Sequence, residues 1–262
     1  MISPAPLLEV RDVDAVYGPY RALFGVSFSV AERSAVALVG ANGAGKSTVA
    51  RVVSGLVRAS SGSVHFAGED ITRYPAWRIA RLGLAHAPEG RAVFGSLTVE
   101  ENLVLTFRQA VGRHGVAGAL ARAYDAFPRL GERRRQPAGT LSGGEQRMLA
   151  LAKVLAVPQR LLVVDELSLG LAPVVVDEVF AGLRTILEAG TALLVVEQHV
   201  DRALSLADEV VMLAKGRVVR QGPVADVGAD VTDLLPARAT ALSTETGPVA
   251  EPGSGSGSGS ES

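Results

Sequence analysis

The sequence predicts an α/β fold: a core of mostly parallel sheet, an antiparallel β subdomain at the N-terminus and an inserted helical subdomain. Three observations carry this. Apolar runs of four or five residues, bounded by turns, alternate with helix-length segments, as in a parallel sheet covered on both faces. The first thirty residues instead alternate apolar and polar with no helix between them. Between about 98 and 140 the pattern becomes mostly helical.

In chain order, "LLEVRDVDAVY" and "ALFGVSFSV" are the antiparallel strands, and "SAVALVG" is the first buried strand, followed by a glycine-rich turn. "TVEENLVLTFRQAV" and "VAGALARAYDAFPRL" are helices, and Thr98 followed by Glu101 is a capping box at the first of them. Arg133 to Arg135 follow in "GERRRQPAG" and read as a solvated loop; Trp77, in "YPAWRIARLG", reads as packing under the sheet edge. "RLLVVDE", "TALLVVEQ" and "DEVVMLAKGRVVRQG" supply the remaining buried runs. One domain is expected over 7–240, with its helical subdomain at about 90–155, and there is no internal repeat. Residues 241–262 turn to Thr, Ser, Pro and Gly and are expected to form a flexible tail, with a linker at 251–262.

Composition narrows the function classes. Twenty-six basic and 27 acidic residues give a net charge of -1, which argues against a protein that coats nucleic acid. Without cysteine there is no disulfide or thiolate metal site, and His65, His86, His114 and His199 show no ligand spacing. "MISPAPLLEV" lacks the basic and apolar regions of a secretory signal, and no stretch approaches the roughly 20 apolar residues of a membrane span. A soluble chain is expected, whose work at a membrane, if any, goes through a partner.

"GANGAGKST", residues 40–48, matches G-x-x-x-x-G-K-[ST] between a strand and a helical pattern. With no side chains at Gly40, Gly43 and Gly45, the backbone amides of this loop, which also includes Ala41, Asn42, Ala44 and Thr48, can turn inward and cradle phosphate oxygens at a helix N-terminus. Lys46 would reach the β and γ phosphates and the Ser47 hydroxyl would ligate Mg²⁺. In "RLLVVDE" the strand ends on Asp165, placed to hold Mg²⁺ through water, and Glu166, placed to polarise an attacking water. The plainer alternative for Asp165 is an N-cap of the next helix.

"LSGGEQRMLALAKVLA" opens with a second capping box, Ser142 and Glu145, ahead of an apolar-periodic helix. With this string the chain resembles the ATP-binding cassette (ABC) family, whose signature is LSGGQ or LSGGE, over roughly residues 7 to 225. The resemblance implies a P-loop NTPase core and an ATPase using ATP and Mg²⁺. It also implies that the nucleotide is sandwiched between the phosphate loop of one subunit and the signature of another, here Leu141, Ser142, Gly143, Gly144, Glu145 and Gln146.

Other positions carry over singly. Tyr17, in "AVYGPY", matches the aromatic that stacks on adenine, against the alternative of an ordinary strand aromatic. Glu89, in "GLAHAPEGRAVFGSLTVEENL", stands where most members have Gln, within reach of Mg²⁺ or water and of a membrane partner. The switch histidine of the family falls on Gln198, counting back from Asp208, with His199 one residue later; either is a candidate. In "ELSLGLAP", Leu167 stands for the usual Pro and Ala172 for a usual Asp, which weakens a cross-subunit contact.

These departures resemble the ATPases of branched-chain amino acid importers. That likeness implies membrane permease subunits, a second ABC ATPase subunit with a heterodimer favoured over a homodimer, a solute-binding protein acting indirectly, and a place at the cytoplasmic face of the cell membrane. No nucleic-acid partner is expected. A soluble ABC protein acting on ribosomes or DNA would carry a second cassette, a long coiled-coil insert or a basic extension. A third reading is a weakly hydrolysing cassette whose partner does most of the turnover.

Overall fold

The computed structural model describes residues 5–87, 93–154, 159–168, 171–198 and 200–234, and within them the apolar runs form two sheets. Strand β1 (Leu8–Tyr17) pairs antiparallel with β2 (Tyr20–Val30), from Leu8 opposite Val30 to Tyr17 opposite Tyr20. Their alternation has the expected cause: Leu8, Val10, Val13 and Ala15 point into the core. Two further strands, β4 (Ser61–Phe66) and β5 (Glu69–Asp70), complete a sheet of order β2-β1-β4-β5.

The second sheet holds β3 (Ala35–Val39), β6 (Leu84–Ala87), β7 (Leu161–Asp165), β8 (Ala192–Glu197), β9 (Glu209–Ala214) and β10 (Arg217–Pro223), in the order β10-β9-β3-β8-β7-β6. All its pairings are parallel except β9 with β10. Every residue of β3, β7 and β8 is buried, as expected of strands covered on both faces. "DEVVMLAKGRVVRQG", expected as one buried run, is instead a hairpin. Lys215 and Gly216 both take positive φ (49° and 75°), the conformation that a tight hairpin turn needs, and β10 leaves the core to become an exposed edge.

Helices fill both faces of this sheet. On one side α1 (Lys46–Val53) lies between the two sheets, with Val49, Ala50 and Val53 packed in one cluster with Val10, Val26, Leu38, Val163 and Leu194. On the other, Leu162, Val164, Leu193 and Val195 pack with α3 (Val99–Ala126), α4 (Pro128–Glu132), α5 (Gly143–Val154) and α6 (Pro173–Glu188). Alternate residues of β7 thus feed opposite cores. A smaller cluster lies under α7 (Val200–Leu206) and α8 (Val224–Leu234).

Between β6 and β7 the described residues are mostly helical. The capping box is formed: Thr98 Oγ1 accepts from the Glu101 N–H, and Glu101 Oε2 accepts from the Thr98 N–H. Gly112 (φ 67°, ψ 178°) breaks α3 into two pieces, which matches the two helices read from the sequence. Trp77 departs from expectation. It sits on the short helix α2 (Ala76–Arg81), 61% exposed, with the Arg81 guanidinium 5.1 Å from its ring centre.

On β6, His86 is half-buried, and neither ring nitrogen has a hydrogen-bond partner among the described residues. Burial, with a smaller push from the Arg51 charge, lowers its pKa from 6.5 to about 4. Between those values the unfolded chain binds a proton that the folded chain refuses, so stability is full above the upper value and falls as the pH drops towards the lower one. Urea denaturation at about pH 7 and about pH 5 is expected to show a loss larger in the wild type than in His86→Gln by roughly 1–2 kcal/mol.

Candidate active site

The parallel register brings the site together. Val39 pairs with Glu197 and Val196 with Asp165, so the chain leaves β3, β7 and β8 at one edge, the C-terminal edge where α/β sheets bind ligands. From β3 the chain turns through residues 40–45 into α1. Gly43 takes φ 76°, which strains any other residue, and a Cβ on Gly40 would lie 2.3 Å from the Leu213 carbonyl oxygen. Helix α1 then starts with no side-chain cap and no acidic residue in its first turn. Its leading amides are thereby suited to an anion, which fits a phosphate group.

Lys46 is only 3% exposed. Its ammonium donates to the carbonyls of Gly40 (3.0 Å) and Ala41 (3.2 Å) and lies 3.6 Å from Glu166 Oε1. The Ser47 hydroxyl donates to Asp165 Oδ1 at 3.0 Å. Two hard oxygens from the phosphate-loop helix and the end of β7 therefore meet, a donor set that suits Mg²⁺ completed by phosphate and water. The N-cap alternative for Asp165 fails, because α6 begins after Ala172. Glu166 takes φ 48°, an unusual conformation for a non-glycine, and is held by its N–H to the Val196 carbonyl (2.9 Å) and by Arg147, which donates to its carbonyl at 2.7 Å.

A cavity of about 250 Å³ opens over these groups, lined by Tyr17, Tyr20, Ala22, Gly43, Gly45, Lys46, Ser47, Thr48 and Glu166. No signature residue lines it. In the signature, Ser142 Oγ accepts from the Glu145 N–H (3.3 Å) and Glu145 Oε2 accepts from the Ser142 N–H (2.9 Å), so the second capping box is also formed.

Residues 23–168 match the family model described as ABC transporter. The chain belongs to the ABC transporter ATPase family. It is 41% identical over 213 residues to the high-affinity branched-chain amino acid transport ATP-binding protein BraG of Pseudomonas aeruginosa, covering 81% of this chain and 91% of that one. It is 36% identical over 217 residues to the probable branched-chain amino acid transport ATP-binding protein LivF of Archaeoglobus fulgidus, covering 82% and 92%. A nucleotide-free ATP-binding cassette from an ABC transporter superposes with a TM-score of 0.78 at 23% identity, covering 87% and 96% of the two chains, which speaks for the fold. The protein is thus an ABC ATPase that binds nucleotide, related to the ATPases of branched-chain amino acid transport.

Several sequence expectations change within this ABC cassette. Of the signature, Gln146 turns inward and donates to the carbonyls of Ala138 and Leu141, both at 3.2 Å. Gly144 has a packing reason: a Cβ there would lie 2.0 Å from Val175 Cγ1 on α6. Leu141 is buried, Gly143 is half-buried and Ser142 is exposed. Arg133 is not loop solvation; its Nε lies 2.8 Å from Glu145 Oε1, while Arg134 and Arg135 are exposed. Gln198 follows β8, half-buried, with its N–H to Glu197 Oε2 (3.3 Å). Ala41 and Asn42 are exposed and Ala44 is buried beneath the loop. Glu89, His199 and the tail 241–262 lie outside the described residues.

Four side chains at this edge escaped the sequence reading: Tyr20, Arg147, Ser168 and Glu197. Glu197 offered a signal, since it ends a wholly apolar strand just as Asp165 does. It is 1% exposed and accepts from the Ser168 N–H (3.0 Å) and hydroxyl (2.5 Å), which ties the loop after Glu166 to the end of β8. Ser168→Ala leaves a buried carboxylate one donor short and is expected to cost about 1.5–3 kcal/mol in a denaturant titration, with Ser168→Thr costing less.

Proposed function

We propose that two such cassettes, each with bound ATP and Mg²⁺, close on one another and that the cycle of closure and hydrolysis drives import of branched-chain amino acids, or a related small solute, through membrane permease subunits. The observation that supports this best is the split of the binding groups. Lys46, Ser47 and Glu166 line one cavity, with Asp165 bonded to Ser47 beside it, whereas Ser142 and the start of α5 contribute nothing to its lining. A helix N-terminus of that kind favours a negative charge, and a nucleotide held by a second cassette supplies one. The names of the relatives support the solute class, and a peripheral place at the cytoplasmic face, reached through permease subunits, belongs to the same proposal. No helix among the described residues is long and apolar enough to cross a membrane.

On this reading the loop amides and Lys46 hold the β and γ phosphates, while Ser47 and Asp165 hold Mg²⁺, with Glu89 outside the described residues as a further candidate. Bound magnesium would neutralise phosphate charge. Tyr17, 40% exposed beside the loop, presents its ring to adenine. Glu166 takes the proton of the attacking water, and Gln198 donates to the γ phosphate without titrating, with His199 the alternative. Ala172 stands in place of an acidic contact across the pair and weakens it; the likeness to the paired ATPases of branched-chain amino acid importers favours a related but non-identical second cassette, a heterodimer.

Glu166→Gln keeps the shape of the site and removes the base. In the purified transporter it is expected to lower turnover by on the order of 10²-fold or more while ATP stays bound and the cassettes stay paired, read by phosphate release and by size-exclusion chromatography. Undiminished hydrolysis would reassign the base. Lys46→Ala is expected to weaken ATP binding in this chain; turnover that survives it unchanged would place hydrolysis in the partner cassette.

A further inference from the structure

A carboxylate at the start of α5 is awkward if that helix end faces a triphosphate, because like charges repel across a water-poor gap. Glu145 occupies that place, and its charge is directed inward. It is 6% exposed, with Oε2 bound to the Ser142 N–H and Oε1 lying 2.8 Å from Arg133 Nε and 3.4 Å from Arg129 Nε. The contact with Arg133 is a charge contact rather than an aligned hydrogen bond. Arg129 also pairs with Glu178 on α6, and Arg133 donates to Gln136 Oε1 at 3.1 Å. Burial raises the Glu145 pKa, but the Ser142 hydrogen bonds and the two guanidiniums outweigh it and hold the group below the ordinary carboxylate range, so it stays ionised.

We propose that Arg133, backed by Arg129, is a positioning residue for ATP hydrolysis: it cancels the charge of Glu145, so that the Ser142 hydroxyl and the first amides of α5 meet the phosphates on a second cassette as an attractive end. The inference rests on the paired-cassette reading above. It differs from a simple staple between α4 and α5 in one respect. A staple broken at Arg133 stays broken when Glu145 is neutralised as well, whereas the loss of a charge canceller is made good by removing the charge it cancelled.

A double-mutant cycle on the full chain in its permease complex separates the two. Arg133→Gln is expected to lower ATP turnover by on the order of ten-fold, with the magnesium-ATP dissociation constant of the variant chain unchanged within about two-fold. In a Glu145→Gln background the same substitution is expected to cost less than about two-fold. Arg133→Lys keeps the charge and is expected to recover most of the turnover, which guards against a variant that merely folds poorly. Equal cost in both backgrounds, a double variant no faster than Arg133→Gln alone, or loss of nucleotide affinity in step with turnover, overturns the proposal. A wild type that hydrolyses ATP at full rate without pairing overturns the paired-cassette reading itself, and is seen without any variant.

Discussion

The parallel register of β3, β8 and β7 is the constraint on which the rest of the molecule depends. It sets Gly40, Asp165, Glu166 and Gln198 at one edge with no further adjustment. The register is firmly specified because both faces are buried and filled differently. Leu161 and Val163 belong to the cluster around α1, and Leu162 and Val164 to the cluster under α5 and α6. A slip of one residue would exchange these faces and carry Asp165 or Glu197 away from the loop that satisfies it.

At that edge the buried charges satisfy one another. Lys46 is held by two loop carbonyls and by Glu166, Asp165 receives the Ser47 hydroxyl, and Glu197 receives Ser168. Burying such groups is tolerable only with partners of this quality. These partners are also the groups that phosphate and magnesium would engage on the proposed reading. On that reading a triphosphate would compete with Glu166 for Lys46, and arrival of the nucleotide would free the carboxylate proposed as the base.

The chain wrote most of the fold in its apolar patterning. Runs such as "AVALV" and "LLVVD", bounded by turns, read as buried strands and are buried strands, and a glycine loop between strand and helix reads as an anion cradle. What escaped was set by distance in space. Nothing local in "ELSLGLAP" or "TALLVVEQ" says that Ser168 will reach Glu197, and nothing in "GERRRQPAG" says that Arg133 will meet Glu145, because each pair joins segments separated in the chain. The hairpin at Lys215 and Gly216 was legible in principle, since a glycine in an apolar run is a turn signal, but the long run of β-branched residues masked it. Trp77 departs from the packing expected of it because a large apolar side chain on a short edge helix can stay exposed.

The same chain that would use one signature lends its own, and the structure joins the two ends mechanically. Arg147 lies one turn along α5 from Ser142 and donates to the carbonyls of Glu166 and Leu167, the residues that aim the base. Arg129 links the same helix start to Glu178 on α6, whose N-terminus follows the loop after the base. On the proposed paired reading, tilting α5 towards a second cassette would therefore pull on the backbone of Glu166 in its own. A pair built this way would couple docking at one nucleotide to the geometry of the proposed base at the other through contacts a few residues long, with no need of a distant relay.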